Sequence, residues 1–101
     1  MAKEHVRWMV PDYLELYWHS WGDGANEEFV VFNNFSGETH CLNFTAALVL
    51  QYLEEHAVSA DAVAAAIQKV LPADANVKAF RQIRDLLEEF DQVGLIAPVF
   101  S

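Results

Sequence analysis

The stretch Glu28 to Leu53, EFVVFNNFSGETHCLNFTAALVLQYL, decides the fold. Phe29 to Phe32 is a short apolar run of β-branched and aromatic residues, the composition of a buried strand. Asn33, Asn34, Ser36 and Gly37 follow with turn chemistry: Gly37 takes a positive φ without a Cβ clash, and Asn tolerates one. Glu38 to Leu42 is the returning strand of a hairpin. Asn43 suits a helix N-cap, because its side-chain oxygen can accept a hydrogen bond from an amide in the first turn. The helix from Phe44 to about Glu55 is apolar almost all round, which predicts a central place in the core.

Upstream, Tyr13 to Trp21 alternates as a strand, with Leu14, Leu16 and Trp18 on one face and Glu15, Tyr17 and His19 on the other. Gly22 to Asn26 is a turn, so the three strands form an antiparallel meander. Met1 to Pro11 reads as a loosely held arm from which Trp8 and Met9 pack back on the body. Trp8, Trp18 and Trp21, with Tyr13 and Tyr17, are expected in core packing and as cover on the sheet; the alternative is an exposed aromatic face for a partner protein.

Downstream, Ser59 caps a second helix predicted to reach Leu71, with Ala60, Val63, Ala64, Ile67, Val70 and Leu71 on one stripe. Pro72 ends it, and Asn76 is positioned to cap a third helix over Val77 to Val93. Ile83, Leu87 and Phe90, with Phe80, make the inner stripe of that helix. Gly94 is placed as a left-handed C-terminal cap with Leu95 making the accompanying apolar contact. Ile96 to Phe100 is a short strand or a docked tail.

A chain of 101 residues with 53% hydrophobic residues makes one domain with one core, and 1–101 is taken as a single unit. The formal net charge of −9 disfavours nucleic acid and anionic membrane surfaces, both of which select cationic proteins. A lone Cys41 cannot form an internal disulfide, which points to a reducing compartment. No apolar run approaches the roughly 20 residues of a membrane span, and the N-terminus lacks the apolar segment of a signal peptide. A cytoplasmic location is expected.

No catalytic or metal constellation stands out. His40 and Cys41 are neighbours on a strand and point to opposite faces, so they do not easily share an ion. No base is evident to activate Cys41, and no carboxylates are paired for acid–base work. The physical clue lies in Glu38 to Leu42, the edge of the meander. Unless the N-terminal arm or a second copy covers it, its outer amides and carbonyls lack partners, and an extended peptide can add there as a further strand. Lys78, Arg81 and Arg84, half of the six basic residues, lie three apart on the third helix, where they either pair with Asp74, Asp85 or Glu88 as solvated surface ions or steer an acidic peptide.

Ser36, Gly37, Thr39, His40 and Leu42, followed by Asn43 and an Ala- and Leu-rich helix, resemble the PqqD family of bacterial peptide chaperones, also called RiPP recognition elements. The pattern is similar to the subgroup associated with HPr-kinase-related proteins, and the likeness runs from about Trp8 to Ile96. Where PqqD relatives often carry an Asp-Gly turn after the first helix, this chain has Glu55 to Ser59, EHAVS. The resemblance implies an α+β fold of winged helix-turn-helix type, with a three-stranded antiparallel sheet followed by three helices. It implies a non-enzymatic domain without cofactor or metal that binds the leader of a ribosomally made precursor peptide.

In such domains the leader lies along the third strand, against the third helix. Carried onto this sequence, that implies Glu38, Thr39, His40, Cys41 and Leu42 with Arg81, Arg84, Asp85 and Glu88 as the peptide-binding residues. The implied partner is a modifying enzyme: a radical-SAM protein, or in this subgroup an HPr-kinase-like protein or nucleotidyltransferase. The alternative is a structural subunit that docks on such an enzyme through its sheet edge or Trp-rich face without a free peptide. A homodimer through the sheet edge is a further possibility. DNA is disfavoured despite the fold type, since Asp85, Glu88, Glu89 and Asp91 on the third helix would meet phosphates.

Overall fold

The computed structural model of the chain describes residues 6–22, 27–69 and 76–100, without the side chains of residues 76–81 and 100. In chain order these form β1 (Val6–Met9), β2 (Leu16–Trp21), β3 (Glu28–Asn33), β4 (Glu38–Leu42), α1 (Phe44–Glu55), α2 (Ala60–Gln68), α3 (Asn76–Gln92) and β5 (Ala97–Phe100). The fold is α+β. Strands β2, β3 and β4 make the antiparallel three-stranded meander, in that order, and three helices follow it.

The turn between β3 and β4 is built on Asn33, whose residue is 1% exposed. Its Oδ1 accepts from the Phe35 and Ser36 amides at 2.9 and 3.3 Å, and its carbonyl accepts from the Gly37 amide at 2.8 Å. Gly37 sits at φ +80°, the left-handed region that a β-carbon disfavours. The Asn34 amide donates to the Glu15 carbonyl at 3.0 Å and ties the turn to the approach of β2. The pairing that results is Val31↔His40 and Phe29↔Leu42 on one side, and Val30↔Cys41 and Phe32↔Thr39 on the other.

Asn43 leads from β4 into α1 with no linker, and its Oδ1 accepts from the Ala46 amide at 2.8 Å. Helix α1 is central as its composition predicts: it packs against β1, β3, β4, α2 and α3. Val49, Leu50 and Leu53 on it are fully enclosed, and each contributes about 1.5–3 kcal/mol by leaving water. Ser59 caps α2 through its Oγ, which accepts from the Ala62 amide at 3.2 Å. Val63, Ala64 and Ile67 face the core, as do Ile83, Leu87 and Phe90 of α3. Helix α3 ends where the glycine requires: Gly94 has φ +80°, its amide donates to the Asp91 carbonyl at 3.2 Å, and the Leu95 amide donates to Phe90 at 2.8 Å. That double bond is the Schellman closure.

Several boundaries and one whole element differ from expectation. Strand β2 starts at Leu16 rather than Tyr13, because the Leu14 amide turns back to the Pro11 carbonyl at 3.1 Å. Helix α3 begins with Asn76 already inside it. The predicted extension of α2 to Leu71, its stop at Pro72 and the turn over residues 23–26 lie outside the described residues.

The arm over Met1 to Pro11 is not loose from residue 6 onward. Val6–Met9 pairs antiparallel with β5, Val6↔Phe100 through Met9↔Ala97. On its other side, Trp8 exchanges backbone bonds with Val58 at 2.7 and 3.1 Å, and the Val10 amide donates to the Leu53 carbonyl at 3.2 Å. Val10 and Pro11 are buried. The short docked tail is thus a strand, and its partner is the segment furthest from it among the described residues.

Two stability measurements check this architecture. Asn33→Ala removes the acceptor of two turn amides and should lower the unfolding free energy by roughly 1–3 kcal/mol, read as a lower urea midpoint at unchanged slope. A chain starting at Val10 loses β1 and Trp8 and should be less stable by about 2–4 kcal/mol; an unattached arm would leave the midpoint where it was.

Candidate functional site

Among the described residues β4 pairs with β3 alone. Alternate backbone groups along its other side therefore point away from the sheet. Opposite that edge stands the C-terminal half of α3. Thr39, His40, Cys41 and Leu42 on one wall and Glu89, Phe90, Val93 and Leu95 on the other enclose a cleft of about 290 Å³. A second hollow of about 220 Å³ between Asn43, Thr45, Gln82, Asp85, Leu86 and Glu89 shares Glu89 with it and carries the groove along α3.

Strand alternation sorts the β4 side chains. His40 and Leu42 lie on the helix side of the sheet, opposite Val31 and Phe29, while Thr39 and Cys41 are exposed on the outer side. His40 and Cys41 are therefore on opposite faces. Glu38 is exposed at the start of the strand. His40 Nε2 is a buried polar atom without a hydrogen-bond partner. A buried ring nitrogen in that condition forgoes a bond that water or a ligand would supply.

The structure separates the helix residues expected in the groove. Asp85 lines the hollow at Asn43 and Thr45. Arg84 and Glu88 do not face β4: they line a different hollow of about 210 Å³ with Val6, Trp8, Ala60 and Leu87, on the β1 and α2 side of α3. The side chains of Lys78 and Arg81 lie outside the described set. The cause is the buried stripe of Ile83, Leu87 and Phe90. Side chains three and four apart share a face, so Gln82, Asp85, Leu86, Glu89 and Val93 flank that stripe toward β4, and Arg84 and Glu88 flank it on the other side.

Glu89, Phe90, Val93 and Leu95 complete the groove; the sequence places the helix over Val77 to Phe90 opposite β4 without singling out Glu89 or Phe90, and Val93 and Leu95 lie beyond that stretch. The groove walls consequently carry Asp85 and Glu89, and no described lysine or arginine lines either hollow. An acidic ligand would meet like charge there.

The outer face of the sheet is the second feature. Tyr17, His19 and Trp21 of β2 lie beside Phe32, Val30 and Glu28 of β3, and Thr39 and Cys41 continue the face on β4. None of these belongs to the core cluster or packs against it. Tyr17 is 54% exposed and Trp21 47%. Trp8 and Trp18 pack against the core, whereas Trp21 lies on the outer face of the sheet and is exposed among the described residues. At the turn end, Tyr13 and Phe35 stack edge to face with ring centres 5.0 Å apart.

Two polar contacts tune these aromatics. The Tyr17 hydroxyl donates to Glu15 at 2.7 Å, and that hydrogen bond, with the carboxylate charge, raises the phenol's pKa. Trp18 Nε1 donates to Glu54 Oε1 at 2.8 Å, joining β2 to α1. Partial burial raises the Glu54 pKa; the Trp18 bond opposes the shift and the Glu55 charge adds to it.

Compared with protein-family models, curated proteins and solved structures, the chain matches none of them.

The raised Glu54 pKa gives a test of this seam. Folded Glu54 holds its proton to higher pH than it does unfolded, so its contribution is most favourable at low pH and declines as pH rises through the mildly acidic range. Glu54→Gln removes that decline while keeping an acceptor for Trp18. Urea midpoints should show the variant gaining on the wild type between pH 4 and pH 7, with a flatter pH profile.

Proposed function

We propose that this domain is a non-catalytic peptide-recognition module. An extended segment of a precursor peptide adds as a strand to the free side of β4 and lies in the groove against α3, from which it is presented to a modifying enzyme. The observation that carries this reading is the β4 edge, paired among the described residues with β3 alone, which faces α3 across a cleft lined by Thr39 to Leu42. Strand addition supplies backbone partners for the edge, and the hollows along Leu42, Leu86 and Val93 take alternate side chains. The resemblance to PqqD-type chaperones, with their winged helix-turn-helix architecture, supports the same mode, as does the order of hairpin, capped helix and groove.

The charge of the groove alters one expectation. With Asp85 and Glu89 on the helix wall and Arg84 turned away, the preferred ligand is an extended segment carrying Lys or Arg at alternate positions rather than an acidic leader. A cytoplasmic setting and a partner enzyme of the radical-SAM or HPr-kinase-related kind remain part of the proposal. The second reading is a docking subunit without a free peptide, and the uncovered aromatic face of the sheet is what favours it.

An amide-resolved titration with two twelve-residue extended peptides, identical except for Lys or Glu at alternate positions, tests the reading. The Lys peptide should shift Thr39 to Leu42 together with Gln82 to Val93, and the Glu peptide should bind about fivefold more weakly or worse. Glu89→Lys should reverse that preference. If neither peptide shifts β4, strand addition is wrong and the docking subunit is favoured.

A further inference from the structure

The outer face of the sheet is a second surface, distinct in composition from the groove. Tyr17, His19, Trp21, Val30, Phe32 and Cys41 form one continuous surface across three strands. Half-exposed aromatic rings rarely line one whole side of a sheet in an isolated domain, because an antiparallel sheet open to water puts polar residues there. The rings are also held in place. Trp21 Nε1 donates to Glu28 at 3.0 Å and the Tyr17 hydroxyl to Glu15 at 2.7 Å. Tyr17 rests on Phe32 at 6.3 Å between ring centres, and His19 on Trp21 at 6.1 Å. Tethered Trp and Tyr side chains lose little further rotamer freedom on binding, the property of residues that dominate protein interfaces.

Charge identifies the occupant. All six Lys and Arg residues are Lys3, Arg7, Lys69, Lys78, Arg81 and Arg84, so the sequence from Trp8 to Gln68, which makes the whole sheet, contains none. The acidic residues outside that span balance the six cations, and the formal −9 resides entirely within it. Glu15 and Glu28 border this face, while its aromatic centre carries no carboxylate. An apolar centre with an acidic margin is the complement of a patch with an apolar centre and a basic margin. A second copy would bring two acidic margins together, so self-association through this face is opposed.

We propose that the outer face of the β2-β3-β4 sheet is a docking surface for a protein whose contact patch has an apolar centre bordered by lysine or arginine. It lies on the opposite side of the sheet from His40 and Leu42. The inference does not rest on the peptide reading; the two surfaces meet at Thr39 and Cys41 on β4.

The test uses the full chain and two synthetic eighteen-residue amphipathic helices sharing one leucine face, with lysine or glutamate on the other. Sedimentation should first show a monomer at high micromolar concentration. The lysine helix should shift His19, Trp21, Val30 and Phe32 amides and leave Gln82 to Val93 unmoved, with the glutamate helix at least about tenfold weaker. Tyr17→Ser with Trp21→Ser leaves the charge unaltered and should weaken lysine-helix binding at least about tenfold, with circular dichroism confirming the fold. Equal binding by the double variant, or shifts centred on α3, would overturn the proposal. A dimer abolished by the same two substitutions would also overturn it, since a second copy would then be the occupant.

Discussion

Register between β3 and β4 is the constraint on which the rest of this structure depends. A strand's side chains alternate with a period of two, so a slip of one residue would exchange its faces. Here the register is set by Asn33, buried at the end of β3 and bonded through Oδ1 and its carbonyl to three amides of the turn. Because Asn33 holds that turn at four residues, Val31 is packed under α1 while Val30 and Phe32 are directed outward. The same register delivers Leu42 to the core and Asn43 to the start of α1. The groove, the outer face and the entry into the central helix are thus set by one turn.

The two surfaces of the sheet differ in what they ask of a ligand. The β4 edge offers backbone hydrogen bonds, which are satisfied by an extended chain and are nearly indifferent to its sequence; selectivity there comes from the carboxylates and hollows along α3. The outer face offers aromatic area, for which shape and desolvation decide. Both are bordered by negative charge, so cationic partners arrive faster at either and dissociate more readily in salt.

The legible parts of this fold are those whose cause is local. Asn43, Ser59 and Gly94 each act within a few residues of themselves, and each does what its residue type and neighbours predict. Alternation in β2 was likewise enough to place Leu16 and Trp18 inward and Tyr17 and His19 outward. Apart from the start of β2 and the place of Asn76, the missed parts are non-local. VRWM in β1 has no period of its own, and its pairing with APVF at the other end of the chain cannot be inferred from either segment. The inner stripe of α3 was evident from spacing, but which flank of that stripe meets β4 depends on how the helix lies across the sheet. That unknown handedness is why Asp85 reached the groove and Arg84 and Glu88 did not.

The pairing of β1 with β5 also orders events in time. It joins residues 6–9 to residues 97–100 across nearly the whole sequence, and closing so long a loop carries the largest chain-entropy cost of any contact in the molecule. The meander and its capped helix close only short loops and can assemble first. On a ribosome, β1 could bond to Val58 and pack on α1 early, but its other side would wait until synthesis had passed Phe100. Over that interval the nascent domain presents two open strand edges, one on β1 and one on β4, and the danger of mispairing is greatest before the last strand arrives.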